Sequence, residues 1–202
     1  RVFILGARRG DILGTLGEGT RPRGVDVRAR HGDDQVYFTG VDPHDGKPGL
    51  FRSDDDGGNR TVIAKGAPFS NPGAVAVTRG GVAYVTDTPS SPGRGRVIEV
   101  DHGAASELAG GLNLGDPAGI ALTRDETTLL VSGVDNTGHS VVYVIDAATG
   151  AVSSTNTGIA QNTGSGGVHR AAGYDRFGWN GYNRNGGVIY SIALSAQAYN
   201  AN

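Results

Sequence analysis

The chain contains no cysteine and no methionine. The first absence excludes a disulfide framework, thiolate-bound zinc and a cysteine nucleophile. Translation starts with methionine, so we expect a processed or partial chain. Secretion to an extracellular or periplasmic space is the expected cause, and internal proteolysis the alternative. Lysine is scarce: Lys47 and Lys65 stand against 16 arginines, and the formal net charge is -2. The basic residues are scattered, so no basic face is offered to nucleic acid or an anionic membrane. No apolar run approaches the ~20 residues of a membrane-spanning helix. No sustained apolar stripe at helical spacing exists, so almost no helix is expected. Catalytic signatures are missing as well. There is no Gly-x-Ser-x-Gly elbow and no His-x-x-x-His pair, and His31, His44, His102, His139 and His169 are dispersed.

What the chain does have is a repeat of about 45 to 50 residues. Three segments open alike, at Pro22-Arg23-Gly24-Val25, Pro72-Gly73-Ala74-Val75 and Pro117-Ala118-Gly119-Ile120. Each is followed by a second apolar run (Val36–Thr39, Val82–Asp87, Leu129–Ser132) and a third (Gly49–Arg52, Arg96–Asp101, Val141–Asp146). A weaker fourth closes each unit, at Thr61–Ile63, Ala105–Leu108 and Ala151–Ser153. Four short strands per unit predict an all-β propeller of four-stranded antiparallel blades, because one blade cannot bury both its faces. The 35 glycines suit the tight turns of such an array. Arg1–Leu5 aligns with Arg96–Val100, a third strand. The expected organisation is therefore one propeller domain over 1–202. It comprises a partial blade 1–20, blades 21–66, 67–112 and 113–157, and a degenerate blade 158–202. A six-bladed ring needs roughly 270 to 290 residues at this period, so the six-bladed type would be incomplete in this chain.

Val36-Tyr37-Phe38-Thr39-Gly40 and the hairpin Gly49 to Ile63, with Arg52, Asp56-Gly57 and Asn59-Arg60, resemble a YWTD blade of the lipoprotein-receptor type. Tyr84-Val85-Thr86-Asp87 is a looser match, and Gly40 stands where that family carries its Asp. The proline-led strands resemble the wider six-bladed superfamily, which includes NHL repeats, TolB-like propellers and gluconolactonase-type lactonases. The resemblance implies fold. Function does not follow from it, since these propellers host binding, scaffolding and hydrolysis alike.

Four groups of residues carry candidate chemistry. Ser53 to Asn59 suits either a calcium loop, with oxygen ligands around glycines, or a hairpin whose carboxylates bond turn amides; the repeat register favours the hairpin. Asn71, Asp87, Asp116 and Asp135 are the candidate divalent-metal ligands. In lactonase-type propellers, the resemblance implies, such side chains meet at the channel and hold a cation that activates water. The alternative is capping of turns before strands. His169, Tyr174, Trp179 and Tyr182 form a candidate ligand face, because rings stack and neighbouring amides hydrogen-bond; an aromatic seam between blades is the alternative. Arg9-Gly10-Asp11 matches an integrin tripeptide in three residues only. Val2 to Gly10 lacks the βαβ context of a dinucleotide site, so no such cofactor is expected.

No residue set combines nucleophile, base and orienter. The expected function is a non-catalytic, extracytoplasmic ligand-binding or protein-assembly module. A divalent-metal-dependent lactonase of the gluconolactonase type is the alternative. No cofactor is expected, with calcium the candidate cation if one binds. The expected partner is another protein, or a companion chain that completes the propeller. Closure by the Val188–Ile192 run is the other way to cover the edge of Val2–Leu5.

Overall fold

Among the described residues, runs of β-branched and aromatic residues separated by glycine turns become seventeen strands, and there is no helix. The computed structural model describes residues 1–5, 9–29, 34–89, 94–115, 118–137, 139–160, 167–171, 173–183 and 186–194; for 156–160 and 180–188 only the backbone is described. The chain forms two compact units, Arg1–Leu112 and Asn113–Asn202.

The first unit holds three antiparallel sheets. Strands β1 (Val2–Leu5) and β2 (Ile12–Leu16) make a two-stranded sheet. β3 (Val25–Arg28), β4 (Gln35–Val41), β5 (Pro48–Asp54) and β6 (Thr61–Lys65) pair in sequence order. So do β7 (Pro72–Val77), β8 (Ala83–Asp87), β9 (Gly95–Asp101) and β10 (Ala104–Leu112). The second unit holds a four-stranded sheet of β11 (Ile120–Leu122), β12 (Thr128–Val134), β13 (His139–Asp146) and β14 (Val152–Ala160). Its other sheet has three strands, β15 (Val168–Arg170), β16 (Arg176–Asn183) and β17 (Gly186–Ala193). The proline-led strands pair antiparallel with the second runs as expected, with Val27 opposite Val36, Val77 opposite Ala83 and Leu122 opposite Leu129.

Position within a sheet dictates residue type. β4 and β8 are buried along nearly their whole length. Such strands read as continuous apolar runs rather than alternating ones. The fourth strands β6 and β10 lie at the sheet edges and are mostly exposed. Between β3–β6 and β7–β10 lies a core of Tyr37, Leu50, Phe69, Val75, Val85, Ile98 and Val100. Leu16, Val36, Phe38 and Phe51 form a second core, on which Val2 and Ile4 of β1 pack. In the second unit, Ala121, Leu130 and Val142 pack with Val168, Phe177 and Trp179.

Small residues open each repeat because first strands approach backbone to backbone. A Cβ on Gly24 would lie 2.4 Å from the Gly73 carbonyl oxygen and 2.6 Å from Ala74 Cα. A Cβ on Gly119 would lie 2.2 Å from the Val168 nitrogen. The second-strand hydroxyls fasten the same junction. Thr39 Oγ1 accepts from the Gly24 amide and donates to the Gly73 carbonyl of the next sheet. Thr86 Oγ1 accepts from the Ala74 amide, and Ser132 Oγ from the Gly119 amide. This hydroxyl is the Thr of the YWTD-like stretch, so the motif's third letter is a structural bond.

Candidate functional site

The most completely ligated acidic side chain among the candidates is Asp87, at the end of β8. It is fully buried. Its Oδ1 accepts from the backbone amides of Ser70 (2.9 Å) and Asn71 (2.7 Å). Its Oδ2 accepts from Arg96 Nε (3.0 Å), and Arg96 Nη2 lies 2.9 Å away. Arg96 is the cross-strand register partner of Asp87 on β9 and also donates to the Pro68 carbonyl and Ser70 Oγ. One carboxylate thus joins the incoming connection, the second strand and the third.

The other repeats solve the same problem without an acid. Val41 N donates to Thr20 O (2.6 Å), Thr88 N to Asn71 O (3.2 Å) and Val134 N to Asn113 O (2.9 Å), so the incoming connection docks alike in all three. A Cβ on Gly40 would sit 2.4 Å from Thr20 O, and one on Gly133 2.5 Å from Asn113 O. Glycine admits the connection's backbone in two repeats, whereas Asp87 captures its amides in the third. This explains the departure at Gly40 from the YWTD pattern.

The remaining metal candidates are similarly occupied. Asn71 Oδ1 accepts from Arg23 Nη1. Asp135 Oδ1 accepts from the Thr137 amide (2.8 Å), the Thr137 hydroxyl (2.7 Å) and the His139 amide (2.8 Å). Those bonds, led by the Thr137 hydroxyl, hold its carboxyl below the usual range. Asp116 lies outside the described residues. Among the described residues no three His, Asp or Glu side chains gather at metal-binding distance. An Arg cation on Asp87 and turn amides on Asp135 do not fit a divalent ion's need for free anionic oxygens. In the Ser53 to Asn59 hairpin, Asp56 Oδ1 accepts from the Gly58 amide (2.7 Å), Asp54 Oδ2 from Asn59 Nδ2 (2.6 Å), and Ser53 Oγ donates to Gly58 O (2.6 Å).

The aromatic candidates separate. Trp179 is 1% exposed, packs at 5.0 Å from the Tyr190 ring, and its indole N–H has no hydrogen-bond partner among the described residues. Tyr174 is 74% exposed in the β15–β16 turn, beside an open cleft of about 650 Å³ lined also by Arg124, Asp175, Arg176 and Leu194. His169 is exposed on the short edge strand β15. Tyr182 belongs to β16 by its backbone, and its side chain lies outside the described residues.

No protein-family model and no curated protein matches this sequence. Solved structures do match. A structure of a nidogen/laminin complex is similar at 15% identity and TM-score 0.67, over 94% of this chain and 73% of that one. A gluconolactonase from Xanthomonas campestris is similar at 20% identity and TM-score 0.65, over 95% of this chain and 64% of that one. The fold is a β-propeller. At these identities the likeness is of fold alone, and the chain spans about two thirds to three quarters of those two propellers. The four-stranded antiparallel sheets are its blades.

Two features escaped the sequence reading. Arg96 is the partner that engages Asp87, and only the antiparallel register of β8 and β9 could have paired them. The other is apolar surface beyond β1, whose open edge the sequence already implied: Ile12 and Leu13 are each more than half exposed, and Val25 and Val27 about half. The alternation of β3 carried that signal, since both valines share the face opposite Asp26 and Arg28.

Proposed function

We propose that this propeller is a non-catalytic binding and assembly module whose two-stranded sheet β1–β2 is completed by strands of a partner polypeptide. The observation that carries the reading is the coincidence of an open ladder and an uncovered apolar face. Among the described residues of the first unit β1 pairs only with β2, whereas β9, the strand its sequence aligns with, pairs on both edges. Val2 and Ile4 cover Val36 and Phe38 of β4, but their register partners Val27 and Val25 on β3 stay half exposed. On the opposite face of that sheet, β7 packs against both β3 and β4. A strand pair beside β1 would supply the equivalent cover, satisfy its outward amides and bury the valines. The Val188–Ile192 run is the third strand of its own sheet, the same slot that β1 would take, which favours a partner polypeptide over closure by that run. The similar structure from a nidogen/laminin complex comes from a protein–protein assembly, which agrees with this reading. An extracellular or periplasmic setting is the expected location.

The lactonase alternative shares its fold with the gluconolactonase, but the described residues of its metal set are tied to Arg96, Arg23 and turn amides. No cofactor is part of the proposed function. The reading is tested by hydrogen exchange over Val2–Leu5 in the chain isolated with its natural assembly intact and in the chain alone. Slow exchange in the assembly, abolished together with assembly by Val27→Lys at unchanged circular dichroism, is the expected result. A natural form that is monomeric, stably folded and fast-exchanging at β1 overturns it.

A further inference from the structure

The first unit has a second open feature, remote in kind from the strand edge. Between the sheets β3–β6 and β7–β10 lies a cleft of about 440 Å³ lined by Arg28, Tyr37, Arg52 and the apolar wall Val62, Ile63 and Val100. Three of its polar side chains, Arg28, Tyr37 and Arg52, carry donor groups with no acceptor among the described residues. Tyr37 and Arg52 are register partners on β4 and β5, so their side chains stand together on one face. Arg52 is half-buried and makes no hydrogen bond or ion pair to any described residue. Tyr37 is 3% exposed, its ring belongs to the core between the two sheets, and its hydroxyl has no hydrogen-bond partner among the described residues.

Arg28 completes the set and is held in place. Its Nε donates to the Arg79 carbonyl at 2.8 Å, which leaves its two terminal nitrogens unengaged by described residues. The guanidinium lies where any side chain at position 81 would stand, since a Cβ on Gly81 would be 2.8 Å from Nη1. The acid in the lining, Asp101, sits at the rim and contacts His102 Nδ1 at 2.6 Å rather than either arginine. Two cationic forks and a phenol therefore share a concave site, and none of the three is paired to an acid among the described residues.

We infer that this cleft binds a small organic dianion, such as a dicarboxylate or a phosphomonoester. Planar guanidinium groups donate two parallel bonds to an oxyanion and remain charged at every physiological pH. Two of them match two negative charges. The Tyr37 hydroxyl adds a neutral donor at the floor, and Val62, Ile63 and Val100 face the carbon skeleton. The volume falls in the range of small-molecule pockets, roughly 300–1,000 Å³. The inference is independent of strand completion at β1, and neither stands or falls with the other.

Thermal melts of the full chain with succinate, phenyl phosphate, acetate and sodium chloride at matched ionic strength test it. Succinate or phenyl phosphate raises the melting temperature in a saturable way, whichever of the two binds naming the oxyanion class, while acetate and chloride leave it flat. Arg52→Met weakens that binding at least tenfold by calorimetry, and Tyr37→Phe weakens it less. Because Arg52 has no partner among the described residues, Arg52→Met without ligand is expected to melt at or above the wild-type temperature. Two results overturn the inference. One is an equal response to all four salts in wild type and Arg52→Met, which is ionic screening. The other is a ligand-free Arg52→Met that melts several degrees lower, which shows the charge already paired in the fold.

Discussion

Replacing Asp87 by alanine is the sharpest test of what the most conspicuous acid in the chain does. The change removes the acceptor of the Ser70 and Asn71 amides and the counter-charge of Arg96, whose side chain is only 19% exposed. Breaking a buried ion pair by removing one partner costs roughly 3–5 kcal/mol, because the remaining charge is left unsolvated. Each amide orphaned in a buried place adds about 1–3 kcal/mol, though groups sharing one carboxylate do not add independently. A loss of about 3–5 kcal/mol is therefore the expectation. For a chain of this size each kcal/mol moves the melting temperature by about 2–4 °C, so Asp87→Ala should melt roughly 6–20 °C lower. Asp87→Asn keeps an acceptor for the two amides but loses the charge facing Arg96, and should fall between wild type and Asp87→Ala. The double variant Asp87→Asn, Arg96→Met should lose less than the two single losses combined, by about 0.5–3 kcal/mol of coupling. Urea unfolding and calorimetry read all of these. The reasoning is refuted if Asp87→Ala unfolds within about 1 kcal/mol of wild type, the ordinary scale of a surface change. It is refuted equally if calcium stabilises the wild type and Asp87→Ala removes that stabilisation alone, which would make Asp87 a metal ligand.

Gly24→Ala should destabilise by about 1–3 kcal/mol, since its Cβ would meet the Gly73–Ala74 backbone, which cannot rotate away; Gly80→Ala, whose Cβ would find only the Thr78 hydroxyl at 3.6 Å, serves as the tolerant control, and equal stability of the two variants would argue against the close approach. Acid should unfold the protein in a defined window. Hydrogen bonding from Lys65 depresses the Asp42 carboxyl, and hydroxyls of Thr123, Thr137 and Thr149 depress Asp125, Asp135 and Asp146. Groups depressed on folding stabilise fully above their unfolded value of about 3.9 and lose that contribution as pH falls through their folded values. The melting temperature should thus hold to about pH 5 and drop below about pH 4, and a profile flat from pH 5 to pH 2 by circular dichroism would contradict the assignment.

Local sequence determined the strands and their order. Each apolar run sits between turn residues, each proline-led segment recurs at the repeat period, and neighbours in sequence pair in space, so the meander of β3–β6 or β7–β10 follows from short-range information. The Ser53 to Asn59 hairpin was legible for the same reason, since its carboxylates bond amides within five residues. Burial was decided differently. Trp179 and Tyr174 lie five residues apart in one aromatic-rich stretch, yet one is core and the other solvent-facing. Strand register turns Trp179 toward Phe177's core cluster, and the β15–β16 turn points Tyr174 outward. The same holds at the second-strand ends, where Gly40 and Asp87 differ because Thr20 O crowds one and the Ser70 and Asn71 amides approach the other. Arg28 and Arg52 are 24 positions apart and became neighbours of one cleft only when β3 to β6 folded into a sheet and the next sheet closed over it. A side chain's secondary structure is set by its own torsions and immediate neighbours, whereas its partners, exposure and charge environment come from segments dozens of residues away that only packing brings near.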